Sequence, residues 1–309
     1  MDTPATQRPP GRGRRRVLVA TARIIILVYL GVLAALYALQ TRMIFPGHAM
    51  QGDPETALRA GPGVEVLALE AADGTPIAAL FGAALTPEGR PRGDAAARPT
   101  LLYFYGNGMC AAWSEAEMSA FRRRGLNVLV PDYLGYGASG GVPSEAGCEA
   151  TATAAYEHLK GRKDVDPSRI VVAGWSLGAA VAIDLATRRP VAGLVVLSGF
   201  TGAADMARRL VPLAPGFLLR HRFESLKKIR RVAVPTFVGH GREDSLIPFS
   251  MGERLADAAG GPVARHVVER GDHNEFFDRG GPPLFDAIGR FAEGASPVGR
   301  DELREHAVN

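Results

Sequence analysis

Cysteine is almost missing from this chain: Cys110 and Cys148 are the only two in 309 residues. Two cysteines build no disulfide framework, and these two lack metal-ligand spacing, so no metal site is expected. A buried free thiol is the expected state of Cys110; a single bridge to Cys148 stays open on sequence grounds. No internal repeat recurs, which excludes solenoid arrays. Only one run is long and apolar enough to cross a bilayer, and that excludes a many-span transporter. The formal charge of +4 and the pI near 9.3 owe much to Arg12, Arg14, Arg15 and Arg16. Basic residues gathered beside an apolar run read as a topology signal, so no nucleic-acid partner is expected. What remains is ordinary for a large globular domain, with 47% hydrophobic and 22% charged residues, enough for a sizeable core.

The apolar run covers residues 17–39. Roughly 23 helical residues at about 1.5 Å each reach about 35 Å, enough for a bilayer core. Arg23 is the one charge inside it, close enough to the basic end for its side chain to reach the head groups. The arginines before the run place the N-terminus in the cytoplasm and everything after it across the membrane, in a periplasmic or extracytoplasmic space. A cleaved signal peptide is the rival reading. The run exceeds the usual 7–15 residues of such peptides and no clean Ala-x-Ala site follows, which favours an uncleaved anchor.

Along the chain, 1–16 reads as a basic disordered tail, 17–39 as the transmembrane anchor and 40–62 as a linker. Residues 63–293 read as the folded domain and 294–309 as a flexible tail. Strands are expected over 64–69 and 77–81, joined through the Asp73-Gly74 turn. Then strands over 101–105, 127–131, 170–173, 191–198, 236–238 and 265–268 alternate with helices over 113–124, 148–160, 176–188, 252–259 and 284–292. Such alternation demands right-handed crossovers: an α/β fold with a mostly parallel central sheet and helices on both faces. Ligands of such folds bind at the carboxyl ends of the strands.

One of those ends carries the strongest chemical signal. Ile170-Val171-Val172-Ala173-Gly174-Trp175-Ser176-Leu177-Gly178 is a β-branched strand, a Gly-x-Ser-x-Gly turn and the start of a small-residue helix, which together read as a nucleophile elbow. Gly174 and Gly178 remove the Cβ atoms that would collide in so tight a turn, while Trp175 fills the position before the serine. Ser176 is lifted to a helix N-terminus, where Leu177 N–H is placed to donate to an oxyanion. A serine hydroxyl needs a base, and the base an orienting acid. Asp244, in a polar turn after the 236–238 strand, and His273, after the 265–268 strand, stand at the same sheet edge.

The order Ser, Asp, His and the accompanying motifs resemble the α/β-hydrolase superfamily over about residues 45–291. Within it the chain is most similar to membrane-anchored serine hydrolases with a serine aminopeptidase-like domain. Tyr105-Gly106-Asn107-Gly108 is similar to the family's His-Gly-Asn-Gly oxyanion loop, with Tyr105 in place of His. Asp132-Tyr133-Leu134-Gly135-Tyr136-Gly137-Ala138-Ser139-Gly140 is similar to its Asp-Tyr-Arg-Gly-Tyr-Gly-x-Ser-x-Gly turn, with Leu134 in place of the basic residue. The resemblance implies that Asn107 or Gly108 N–H completes the oxyanion hole. It also implies that Tyr105 alters the shape and polarity of the pocket.

Other polar residues have plainer expected roles: Asp132 braces its turn, Asp272 caps or solvates the loop before His273, and His240 is structural. His48, His158, His221 and His266 read as surface or packing residues. Residues 200–233 form a lid-like insertion of helical character, rich in Arg and Lys. It is either a solvated helical face or a basic rim for anionic head groups or an acidic acyl substrate. The function expected is a membrane-anchored serine hydrolase of the esterase, lipase or thioesterase type, needing no cofactor and acting on a small-molecule or lipid acyl group. A catalytically vestigial binding scaffold is the alternative, opposed by the intact Ser176, Asp244 and His273 set.

Overall fold

The computed structural model describes residues 12–295, so the expected tails lie largely outside it. The chain divides into two units, Met1–Met43 and Ile44–Asn309. The first contributes α1, Arg12–Ile44, which extends the expected 17–39 helix at both ends. Residues 12–16 carry no proline and their arginines are good helix formers, so nothing stops the helix at the expected boundary. Its mean hydropathy reaches 2.4 over an 18-residue window within Arg14–Ile44, which meets the length and composition of a membrane span.

The second unit opens with β1, Val64–Glu70, and β2, Pro76–Gly82, an antiparallel hairpin. There follow β3, Thr100–Phe104, α2, Glu115–Arg122, β4, Asn127–Pro131, and α3, Glu145–Gly161. Ser144 starts α3 earlier than expected because its hydroxyl accepts from Gly147 N–H at 2.9 Å, an N-cap. Next come β5, Ile170–Trp175, α4, Leu177–Arg188, and β6, Gly193–Leu197. The 200–233 insertion holds α5, Ala203–Leu210, a short turn of helix at Gly216–Leu218, and α6, Ser225–Ile229. Finally β7, Thr236–Gly241, α7, Phe249–Ala258, β8, Val263–Val268, and α8, Phe276–Gly294, complete the unit. The backbone of α8 breaks at Gly281, ahead of Pro282 and Pro283, which explains why the sequence marks only its second half as helix.

The eight strands form one sheet in the order β1-β2-β4-β3-β5-β6-β7-β8, antiparallel at β1–β2 and β2–β4 and parallel from β4 onward. One helical layer contains α3, α4, α6 and α7; α2 and α8 pair in the other. The central strands β3, β4 and β6 are buried throughout and β5 as far as Gly174, as expected of strands covered on both faces. Parallel registry aligns the strand ends, with Trp175 opposite Leu197 and Leu197 opposite Gly239. The loops after β5, β6, β7 and β8 therefore open on one edge.

Residues 40–62 are not a free linker as expected. Phe45 is fully buried among the core residues and Thr56 is buried too, while Gly47 N–H donates to the Asn107 carbonyl at 3.0 Å. Gly47 has no room for a side chain, since a Cβ there would lie 2.1 Å from the Tyr136 ring. The folded unit thus begins at Ile44 and not near residue 63. Truncating Phe45→Ala should destabilise it by about 3–5 kcal/mol, read as a lowered denaturation midpoint of the full chain in detergent. An unchanged midpoint would contradict this docking.

Candidate active site

Ser176 has φ 57° and ψ −115°, a strained combination for any residue with a Cβ. The surroundings enforce it. A Cβ on Gly174 would stand 2.0 Å from the Gly178 carbonyl oxygen, and one on Gly178 would stand 1.9 Å from that of Phe104. Strand β3, strand β5 and the start of α4 meet backbone to backbone there, and Ser176 N–H is fixed on the Leu197 carbonyl at 2.9 Å. The hydroxyl is left at the first turn of α4, whose N–H groups have no partners within the helix.

Three of the expected residues are brought together. His273 Nε2 lies 3.0 Å from Ser176 Oγ, and His273 Nδ1 lies 2.8 Å from Asp244 Oδ2. A carboxylate only accepts, so Nδ1 carries the proton and Nε2 is left as the acceptor for the serine hydroxyl. Asp244 is itself held in place: its Oδ1 accepts from Leu246 N–H at 3.1 Å and from Ile247 N–H at 2.7 Å. Burial pushes the Asp244 carboxyl up, but the hydrogen bonds from His240, His273 and Ile247 outweigh it and hold it well below its ordinary value. All three side chains are buried.

Asp272 stays outside this chain of contacts. Its Oδ1 accepts from Ser245 N–H and Ser245 Oγ–H at 2.7 and 2.8 Å, tying the Asp244 loop to the His273 loop. The sequence missed two neighbours. The Trp175 ring stacks on the His273 imidazole with centroids 5.1 Å apart, so the residue before the serine also backs the histidine. His240 Nε2–H donates to the Ile247 carbonyl at 2.9 Å and lies 3.4 Å from Asp244 Oδ2. Spacing of four residues across the end of β7 was the available signal.

The loop after β3 is also pinned. Met109 N–H donates to the Gly106 carbonyl, and the Asn107 carbonyl accepts from Gly47 N–H and from Tyr136 O–H at 3.0 Å. In a planar trans peptide the N–H points opposite its carbonyl, so these contacts fix the directions of Asn107 and Gly108 N–H. Asp132 sits at the centre of the brace, as expected, accepting from Tyr105 O–H, Ala111 N–H and Ala138 N–H at 2.7–3.0 Å. Burial pushes its carboxyl up against those hydrogen bonds. Tyr105 departs from expectation: it is fully buried and its hydroxyl is engaged by Asp132, so it supports the loop from beneath and does not line an open pocket. Leu134 is buried as well.

Three other histidines make contacts away from the Ser176 hydroxyl. His48 Nδ1 lies 2.8 Å from the Phe45 carbonyl, the His221 ring packs edge-on to Phe45, and His266 stacks on Phe237. Cys110 and Cys148 are both free and buried, and no cluster of metal-ligating side chains occurs among the described residues. Lys228 leaves the expected basic rim: its Nζ lies 2.7 Å from Asp184 on α4, and within 3.5 Å of Glu145 and Glu149 on α3.

Residues 104–227 match the family model described as Alpha/beta hydrolase family. The chain is 36% identical over 289 residues to the uncharacterized protein MT2364 of Mycobacterium tuberculosis, covering 93% of this chain and 99% of that one. It is 32% identical over 293 residues to the alpha/beta hydrolase domain-containing protein WAV2 of Arabidopsis thaliana, covering 87% and 92%. Among solved structures it is similar to the esterase Pf2001 of Pyrococcus furiosus, at 16% identity and a TM-score of 0.62, over 77% of this chain and 97% of that one.

The depressed Asp244 carboxyl gives a pH signature. A carboxyl lowered on folding contributes stability that is complete above its unfolded value of 3.8 and is lost as pH falls toward its folded value. The protein should therefore weaken progressively below about pH 4. Denaturant unfolding across pH 3–7 should show a shallower acid limb for Asp244→Asn than for the parent; identical limbs would contradict the assignment.

Proposed function

The chain belongs to the α/β-hydrolase family, and on that premise we propose that it is a serine hydrolase tethered by α1, with Ser176, His273 and Asp244 as its catalytic triad. The observation that carries this reading is the unbroken relay from Ser176 Oγ through both ring nitrogens of His273 to Asp244, at 3.0 and 2.8 Å. Such a relay gives a weak nucleophile a base of the right geometry and gives the base a fixed tautomer.

In the proposed reaction Ser176 Oγ attacks the acyl carbonyl while its proton passes to His273 Nε2. The imidazolium is stabilised by the Asp244 carboxylate. Leu177 N–H and the Asn107 or Gly108 N–H receive the developing oxyanion, a type of donor worth about 100- to 1000-fold in rate. Collapse expels the alcohol, thiol or amine, which takes its proton from His273. Water, deprotonated by the same nitrogen, then releases the acid and restores Ser176. The carbonyl behind Leu177 N–H accepts from Ala179 N–H, and those behind Asn107 and Gly108 N–H accept from Met109 N–H and from Gly47 N–H and Tyr136 O–H, so little reorganisation accompanies the charge.

The esterase among the structural neighbours favours an oxygen ester as the first substrate to test. The apolar α1 and the arginines at its start favour a single-pass anchor with the hydrolase unit on the far side of the membrane. On a short-chain p-nitrophenyl ester, Ser176→Ala should lower kcat/KM by at least about 1000-fold and Asp244→Asn by about 10,000-fold. Asp272→Asn should stay within a few-fold of the parent. Turnover retained by Ser176→Ala would sink the proposal, and a loss in Asp272→Asn as large as in Asp244→Asn would reassign the acid.

A further inference from the structure

The first residues of the second unit enter it at the edge that carries Ser176. The Asn107 side-chain amide donates to the Ile44 carbonyl at 3.1 Å, and Asn107 belongs to the loop that follows β3. Phe45, the next residue, is fully buried with its ring 5.0 Å from His221 and 6.0 Å from Phe223. Ile44 is thus fastened to the candidate oxyanion loop, and Phe45 to the base of the insertion that contains α5 and α6.

The insertion itself carries an exposed apolar surface. Leu210, Leu213 and Phe217 are 63%, 79% and 76% exposed, a concentration of apolar side chains that marks an interaction site. Arg208, Arg209, Arg220 and Arg222 flank them, all exposed. The insertion's own acids, Asp205 and Glu224, are engaged by Arg208 and Lys227. Its base is rigid, because Glu145 accepts from Arg222 and Phe223 N–H at 2.6 and 3.0 Å. Beside that base is a cavity of about 360 Å³ lined by Gly216, Leu219, Leu226 and Lys227, among others.

An apolar tip inside a cationic collar matches the boundary between anionic head groups and acyl chains. We propose that the tip of this insertion docks on an anionic lipid bilayer, with Leu210, Leu213 and Phe217 below the head groups, and that Ser176 draws its acyl substrate from that membrane. The proposal rests on α1 as an anchor and, for its substrate half, on Ser176 as the nucleophile. Docking brings the edge that opens on Ser176 against the layer where a lipid ester or thioester would lie. The arginines hold the protein in register with lipid phosphates.

The test uses the full chain reconstituted in phosphatidylcholine vesicles with and without phosphatidylglycerol. Phe217→Cys is labelled with an environment-sensitive fluorophore, the native Cys110 and Cys148 being buried. Glu88→Cys, exposed in the loop ahead of β3 at the opposite end of the sheet, is the control. The label at 217 should shift to the blue and be quenched by brominated lipids, more strongly in anionic vesicles, while the label at 88 stays in water. Equal exposure of the two labels, in a chain whose α1 resists carbonate extraction, would overturn the docking and leave the tip to a protein partner. Release by carbonate would overturn the anchor reading and the docking with it. Replacing Leu210, Leu213 and Phe217 by Ser should lower kcat/KM on a vesicle-embedded ester about tenfold while leaving a soluble short-chain ester within about twofold. Equal losses on both would overturn the membrane supply of substrate without touching the role of Ser176.

Discussion

Backbone touches backbone where β5 turns into α4, and that contact conditions the rest of the site. Gly174 faces the Gly178 carbonyl and Gly178 faces that of Phe104, with no space for a side chain at either position. The approach places the first turn of α4 against the end of β3. It accompanies the positive φ of Ser176 and sets Gly178 against the Phe104 and Tyr105 carbonyls. A looser turn would part the first turn of α4 from the end of β3. The strain is sustained by a sheet buried on both faces, whose neighbouring strands fix the positions of the loops that bear Asp244 and His273.

Much of this was legible in the residues because each step has a local signature. Glycines on either side of Ser176, apolar runs of strand length, and polar turns after them place three side chains at one sheet edge without any knowledge of packing. Strand centres were legible for the same reason, while helix starts were less so. The early start of α3 depends on the Ser144 cap, and the first half of α8 is masked by Gly281, Pro282 and Pro283.

What the sequence did not disclose are contacts between residues far apart in the chain. Phe45 reads as part of a linker until His221 and Phe223 are seen around it, and Tyr105 reads as a pocket residue until its hydroxyl is found on Asp132. Lys228 reads as one more charge on a basic face until Asp184 is seen beside it. The support of His273 by the Trp175 ring is of the same kind. In each case the residue type was compatible with two roles, and only the partner across the fold decides between them.

Hydrolysis by this chain stands or falls with the relay from Ser176 to Asp244, and a covalent probe tests that relay most directly. A fluorophosphonate reacts with a serine only when a base has activated it, so the phosphorus adduct can be located by mass spectrometry of the digested full chain. A single adduct on Ser176 is expected, formed in the parent and lost in His273→Ala. A parent protein that remains unlabelled, or one labelled at another serine, would contradict the relay.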